Sequence, residues 1–259
     1  MNKQQAQRPS PLMLLLEPGR AVLSLAAYAL LRPMLQTLPK GDGHPVIVLP
    51  GFMANDYSTA IMRNFLKEQG YAAYGWFQGN NLGNYDRIEP ILHKQILRLY
   101  QQHKQKVSLI GWSLGGVFAR DMARQMPDKI RQVITLGSPF GNLTTQHYAS
   151  FIFELIHNKK VADLDPELLE RLQGQVPSVP TTAIYSKSDG VVSWEFCKDE
   201  TDGHQNENIE VLGSHVGLGH NPMVLACLAD RLSQPEDHWQ PFKNSELSKN
   251  FKDWGVYQR

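Results

Sequence analysis

Val46-Ile47-Val48-Leu49 is apolar at every position and stops at Pro50-Gly51. A strand with one wet face alternates polar and apolar residues. An unbroken apolar run closed by a turn pair reads as a strand covered on both faces. Such strands belong to parallel sheets, whose crossovers are helices. The chain keeps that rhythm, with strands expected at Tyr71 to Phe77, Val107 to Trp112, Val133 to Leu136, Thr181 to Tyr185 and Ile209 to Leu212. Helices fall between them. One runs from about Tyr57 to Glu68, where Ile61, Met62, Phe65 and Leu66 share a face before the stop at Gly70. Others are expected over Ile88 to Tyr100, Ser113 to Met126, and Pro222 to Leu232, the last capped by Asn221. The expected architecture is α/β, a mainly parallel sheet of about six strands flanked by helices. Ligands of such sheets lie beyond the carboxyl ends of the strands.

Between Phe140 and Pro180 the alternation pauses. Structureless loops of that length are rare in compact domains. Phe151, Phe153, Leu155 and Ile156 suggest one helix and Asp165 to Leu172 another, together a helical cap over the cleft. The expected division is an N-terminal helical segment at 1–40, the α/β domain at 41–233 with its cap at 141–180, and a tail at 234–259. Trp239, Phe242 and Trp254 would pin that tail to the body.

Lys and Arg number 26 against 25 Asp and Glu. So even a balance gives no basic face for nucleic acid, which is excluded as a partner. Cys197 and Cys227 are too few for a disulfide framework and lack the neighbours of a zinc site, so they read as free thiols. At the N-terminus, Leu12 to Leu16 is interrupted by Glu17-Pro18-Gly19-Arg20, too soon for a secretion signal. Ala21 to Leu31 is uncharged but short of the roughly 18–20 residues that span a bilayer. Residues 12–38 therefore read as one or two helices packed on the core, with punctuation at Pro18-Gly19 and Arg32-Pro33. Peripheral membrane contact through these residues is the alternative, and the cytoplasm is the expected location.

Gly111-Trp112-Ser113-Leu114-Gly115-Gly116 lies between the strand Val107-Ser108-Leu109-Ile110 and the next helix. Strand, G-x-S-x-G and helix in that order form a tight turn that projects the serine hydroxyl into a cleft. The glycines let backbone approach closely. The helix N-terminus beside the serine favours developing negative charge.

On these residues the chain resembles the α/β-hydrolases, most nearly the small bacterial lipases and esterases, over about Pro45 to Leu232. The resemblance implies Ser113 as nucleophile, followed in order by an acid and a histidine. Asp189, in the loop after Thr181 to Tyr185, is similar to the family's acid; Asp163, Asp165, Asp199 and Asp202 compete but none directly follows a strand end. His215, in Gly213-Ser214-His215-Val216-Gly217-Leu218, resembles the family's histidine loop, with His220 as the rival. The oxyanion donors implied are the backbone N–H groups of Leu114 and Phe52, although Pro50 stands where many relatives carry histidine. Gly137-Ser138-Pro139-Phe140 resembles a loop common in lipases beside the nucleophile. Met53, Trp112 and Phe140, with Phe52 and Leu114, would line an apolar acyl pocket. Gly79 to Gly83 lacks a phosphate-binding pattern and reads as a cleft-edge loop. No cofactor or metal is implied. The expected activity is hydrolysis of carboxylic esters of short to medium acyl chain through an acyl-enzyme. A thioesterase or acyltransferase with the same triad, and a noncatalytic binding protein of this fold, are the alternatives. The sequence leaves the oligomeric state open.

Overall fold

A computed structural model of the chain describes residues 8–141, 143, 165–199, 205–245, 247 and 257–258. Among these, the strands are β1 (Pro45–Leu49), β2 (Ala72–Tyr74), β3 (Val107–Trp112), β4 (Ile130–Leu136), β5 (Thr181–Tyr185), β6 (Asn206–Glu210) and β7 (Tyr257–Gln258). The helices are α1 (Pro11–Leu35), α2 (Ala60–Glu68), α3 (Tyr85–His103), α4 (Leu114–Gln125), α5 (Pro166–Leu172) and α6 (Pro222–Leu232). The sheet order is β2-β1-β3-β4-β5-β6-β7, with every pair parallel except β6 and β7. The expected parallel sheet flanked by helices is the one observed, with a seventh, antiparallel strand that the polar tail did not announce.

Strands β1, β3, β4 and β5 are buried along their whole length. Their alternating side chains feed two cores. Val46, Val48, Ile110 and Ile134 pack with Met62, Phe65 and Leu66 of α2 and Leu225 and Leu228 of α6. Ile47, Leu49, Leu109 and Val133 pack on the other face with α3 and α4. Full burial of one such side chain is worth about 1.5–3 kcal/mol, so covering both faces favours the central strands strongly.

Three expectations need correction. The last parallel strand is Asn206–Glu210, not Ile209 to Leu212. Its polar residues are held by tertiary partners. Glu207 accepts from Arg231 at 2.7 Å and from the Phe242 N–H at 2.7 Å. Asn208 brackets Asp199 through both its backbone groups. Residues 11–35 form one continuous helix that is not punctuated at Pro18-Gly19 or Arg32-Pro33. It is also not a core helix. Only Glu17, Ala21 and Leu35 are buried along it, while Leu15, Leu23 and Leu30 are at least 70% exposed. By length and composition, at mean hydropathy 1.4, this helix could cross a membrane.

The helix expected at Asp165 to Leu172 is present as α5, with Asp165 accepting from the Glu167 N–H at its start. It packs against α4, its Arg171 pairing with Asp121 of α4 and with Glu89 of α3. The helix expected at Phe151 to Ile156, and Trp254, lie outside the described residues. Phe242 is buried in the core as expected of a tail anchor, and Trp239 is partly buried. Cys197 and Cys227 are both buried free thiols.

Candidate active site

The chain runs β1 to β2 on one side of the sheet and β3 onward to the other. The strand order therefore reverses between β1 and β3, and the carboxyl ends at such a reversal are where ligands of open α/β sheets bind. Ser113 stands at that point, one residue past β3, with φ 52° and ψ −123°. Such a backbone is strained for a residue with a Cβ and needs the surroundings to enforce it. They do. The Ser113 N–H donates to the Leu136 carbonyl at 2.8 Å, and its own carbonyl accepts from Gly116 at 2.9 Å. A side chain at Gly111 would meet the Gly116 Cα at 2.2 Å, so the glycines of the motif are there because backbone crosses backbone.

Asp189 lies in the loop after β5 and His215 in the loop after β6. The His215 Nδ1–H donates to Asp189 Oδ2 at 2.6 Å, with both side chains almost wholly buried. The other carboxylate oxygen accepts from the Val191 and Val192 N–H groups, each at 2.8 Å, which fixes the plane of the carboxylate. Burial pushes the imidazole pKa down. The charge and hydrogen bond of Asp189, and beyond them the charge of Glu17, push it up further, so it lies above the ordinary histidine value. An imidazole held by a carboxylate on Nδ1 presents Nε2 as a base.

The rivals are engaged elsewhere. His220 Nε2 donates to the Ala21 carbonyl of α1 at 2.9 Å. Asp199 makes a bidentate pair with Arg120 at 2.7 and 2.9 Å, and Asp165 caps α5. Asp163 and Asp202 lie outside the described residues.

On the other side of Ser113, the loop after β1 approaches so closely that a Cβ on Gly51 would stand 3.1 Å from the serine Cβ. Leu114 opens α4, where backbone N–H groups lack intrahelical partners. Phe52 follows Gly51 on the adjoining loop. Sequence reasoning missed what holds that loop. Asn81 is fully buried; its side chain donates to the Pro50 carbonyl at 2.9 Å and accepts from the Gly83 N–H at 3.1 Å. Its backbone bonds to Met53 and Ala54 at 2.7 and 2.8 Å. The segment read as a cleft-edge loop is thus the clamp on the Pro50 to Ala54 turn. An asparagine between two glycines after a strand was the available signal.

The residues expected to line an acyl pocket come from different parts of the fold. Trp112 belongs to the core on the α2/α6 face, and its indole N–H supports the histidine loop by donating to the His215 carbonyl at 3.1 Å. Phe140 belongs to the core on the opposite face, under the Arg120 guanidinium. Met53 is 53% exposed at the rim, on a backbone with φ 60°.

A second Asp-His-Ser array shows why geometry alone is insufficient. His44 lies 2.5 Å from Asp42 through Nδ1 and 2.8 Å from Ser108 Oγ through Nε2. It sits at the opposite end of the sheet, and both His44 and Ser108 are fully buried. Burial, and then the charge of Arg131, lower the His44 pKa. Without access or a helix N-terminus beside the serine, this is a structural polar cluster.

Comparison with known proteins agrees with the fold. A family model described as the PGAP1-like alpha/beta domain matches residues 64–174. No curated protein matches the sequence. Among solved structures, Aspergillus fumigatus lipase B is similar at TM-score 0.57 and 17% identity, covering 82% of this chain; the match spans only 57% of that lipase. A structure from a study of the metagenome-derived lipolytic enzymes LipS and LipT gives TM-score 0.53 at 15% identity, over 75% of this chain and 93% of that one. Mouse alpha/beta hydrolase domain-containing protein 10 gives 0.52 at 18%, over 74% and 90%. The fold is that of the α/β-hydrolases, and its structural neighbours are lipases, esterases and related hydrolases.

Proposed function

We propose that this α/β-hydrolase-fold chain is a serine carboxylic-ester hydrolase working through an acyl-enzyme. The observation that carries the reading is the 2.6 Å Asp189–His215 bond in loops that end β5 and β6, on the same sheet edge as the strained Ser113 turn. Ser113 Oγ attacks the ester carbonyl while His215 Nε2 takes its proton. The tetrahedral oxyanion is met by the backbone N–H groups of Leu114 and Phe52. His215 then protonates the leaving alcohol, and water repeats the sequence to release the acid. Asp189 holds the imidazole tautomer and its cation. No cofactor enters these steps.

The test is a series of p-nitrophenyl esters from acetate to palmitate, with labelling of the folded protein by a fluorophosphonate. Turnover with label on Ser113 supports the reading, and the best chain length sizes the acyl site. Turnover confined to acyl thioesters, or transfer to an added alcohol in preference to water, moves the assignment to a thioesterase or acyltransferase. A folded protein that neither labels nor turns over acyl substrates is a binding protein of this fold.

Asn81 gives a sharper expectation. Asn81→Ala leaves the Pro50 carbonyl and Gly83 N–H without partners, at a cost of about 1–3 kcal/mol. Because the released loop carries Phe52, kcat is expected to fall about tenfold or more, with a smaller change in KM. An unchanged kcat in a folded Asn81→Ala protein removes Phe52 from the oxyanion site.

A lipid surface is the partner we propose for α1. The helix turns both charges of its middle, Glu17 and Arg20, inward and exposes leucines outward, the reverse of a surface helix. Residues 1–40 carry five Lys and Arg against Glu17 alone, a net positive charge that suits anionic headgroups, although Arg20 itself is turned inward. An open apolar groove between α1 and α6, lined by Leu23, Ala27, Leu31, Leu212, Pro222 and Met223, reaches toward the histidine loop. The full chain is expected to float with anionic vesicles, and a variant with Leu15, Leu23 and Leu30 all changed to Glu to stay behind. Wild-type protein that remains in the soluble fraction refutes the contact.

A further inference from the structure

We infer that Glu17 is a positioning residue for the proposed acid–base pair, locking the Asp189 and His215 loops together from the N-terminal helix. The inference rests on the roles proposed above for Asp189 and His215. It begins from a burial that needs explaining. Glu17 is 2% exposed on a helix that otherwise buries only Ala21 and Leu35. A carboxylate without water persists only when its oxygens are fully hydrogen-bonded.

The partners it finds are specific. Oε1 accepts from the Gly190 N–H at 2.8 Å and from the His215 N–H at 3.0 Å, and Oε2 accepts from the Val216 N–H at 2.9 Å. Gly190 is the residue after Asp189. One carboxylate thus binds the backbone beside the acid and the backbone of the base. These residues lie more than 170 positions away in sequence, on two loops that leave adjacent strands. A shared acceptor fixes the distance between loops more tightly than two separate bonds to different groups.

Arg20, one turn on, does the converse. Its guanidinium donates to the Ser188 carbonyl at 2.6 Å, the Ser188 hydroxyl at 2.7 Å and the Gly213 carbonyl at 2.8 Å. The two residues share a helix face, with Arg20 Nη1 3.9 Å from Glu17 Oε1. Loop donors meet the acceptor and loop acceptors meet the donor. The helix comes in so close that a side chain at Gly190 would stand 2.5 Å from the Met13 carbonyl oxygen.

Glu17 also adds charge. The groups facing the imidazole are Asp189 from the β5 loop and Glu17 from α1. Arg20 stands behind Glu17, Cys197 behind Asp189, and His220 is turned to α1. Both carboxylates favour the imidazolium, the state His215 enters as it takes the serine proton.

Glu17→Gln is the test. With its oxygen at the Oε1 position the amide keeps Gly190 and His215 but turns its NH2 group toward the Val216 N–H, so the histidine loop loses one bond and is pushed away by a donor facing a donor. With a soluble ester the expected kcat falls about 10- to 100-fold, while KM changes little. Activity needs neutral His215. Losing a carboxylate lowers its pKa, so the acid limb of the kcat/KM profile moves to lower pH. Glu17→Asp keeps the charge with a shorter reach; its kcat falls while its acid limb stays in place, and it serves where the Gln variant does not fold. A structural role alone lowers the folded fraction without moving the limb or the rate per fluorophosphonate-labelled site. The low-field proton resonance of His215 Nδ1–H reads the same device without turnover. It is expected to exchange slowly in wild type and to shift and exchange faster in the Gln variant. If wild type turns over no ester but this proton responds, the proposed function fails and the positioning stands. An unchanged resonance together with kcat within about twofold of wild type overturns the positioning.

Discussion

Ser113→Ala is expected to lower ester turnover by about 10⁴- to 10⁶-fold, and His215→Ala by nearly as much. The two substitutions combined should cost little more than either alone. Neither half of a nucleophile–base pair works without the other, so their losses do not add. His220→Ala, five residues away, should stay within a few-fold of wild type, because its ring is spent on the Ala21 carbonyl of α1. The contrast matters more than either number. Both histidines lie in one glycine-rich loop, and sequence separates them only by resemblance. The structure separates them by what their ring nitrogens face. Initial rates on a p-nitrophenyl ester, normalised to folded protein, decide it. Wild-type turnover by folded Ser113→Ala would falsify the proposed chemistry, and a dead His220→Ala beside an active His215→Ala would exchange the histidines.

What could be read from the sequence, and what could not, divides along a physical line. Strands β1, β3, β4 and β5 announce themselves because burial on both faces demands apolar residues, and that demand is written locally. Ser113 is equally legible, since a turn this tight restricts its own neighbours. Strand β6 is not. Asn206-Glu207-Asn208 reads as a loop, yet Arg231, Phe242 and Asp199 supply partners that let it sit in the sheet. Glu17-Pro18-Gly19-Arg20 reads as a break in an apolar segment. Its charges instead face loops whose residues lie some 170 to 200 positions later, and the helix passes straight through. Asn81 was hidden in the same way. Periodicity tells whether a side chain meets core or water, but not which distant backbone a polar side chain will bind. Trp112 and Phe140 were legible as buried aromatics. Which core each joins was not legible, because it depends on the elements that fold over them: Trp112 packs with α2 and α6, Phe140 with α3 and α4.

Two buried aspartates offer the other large effect, in opposite currencies. Asp189→Asn is expected to cost about 10⁴-fold in kcat with little loss of stability. Its Oδ1 position is held by the Val191 and Val192 N–H groups, so the asparagine oxygen stays there and the NH2 group turns to His215. An NH2 donor on Nδ1 enforces the tautomer that carries its proton on Nε2, which can no longer accept one from Ser113. Arg120→Ala should do the reverse. It strips Asp199 of a bidentate partner in a site where both side chains are at most 3% exposed. An uncompensated buried carboxylate costs about 3–5 kcal/mol. At about 2–4 °C per kcal/mol for a domain of this size, Tm should fall by roughly 10 °C or more. The rate per folded molecule should hold, because Asp199 faces α4 and not the cleft. Thermal melts and active-site-titrated rates on both variants separate the two. If Arg120→Ala instead abolished turnover in folded protein while Asp189→Asn remained active, Asp199 would be the acid, and the Asp189–His215 bond would be no more than a loop contact.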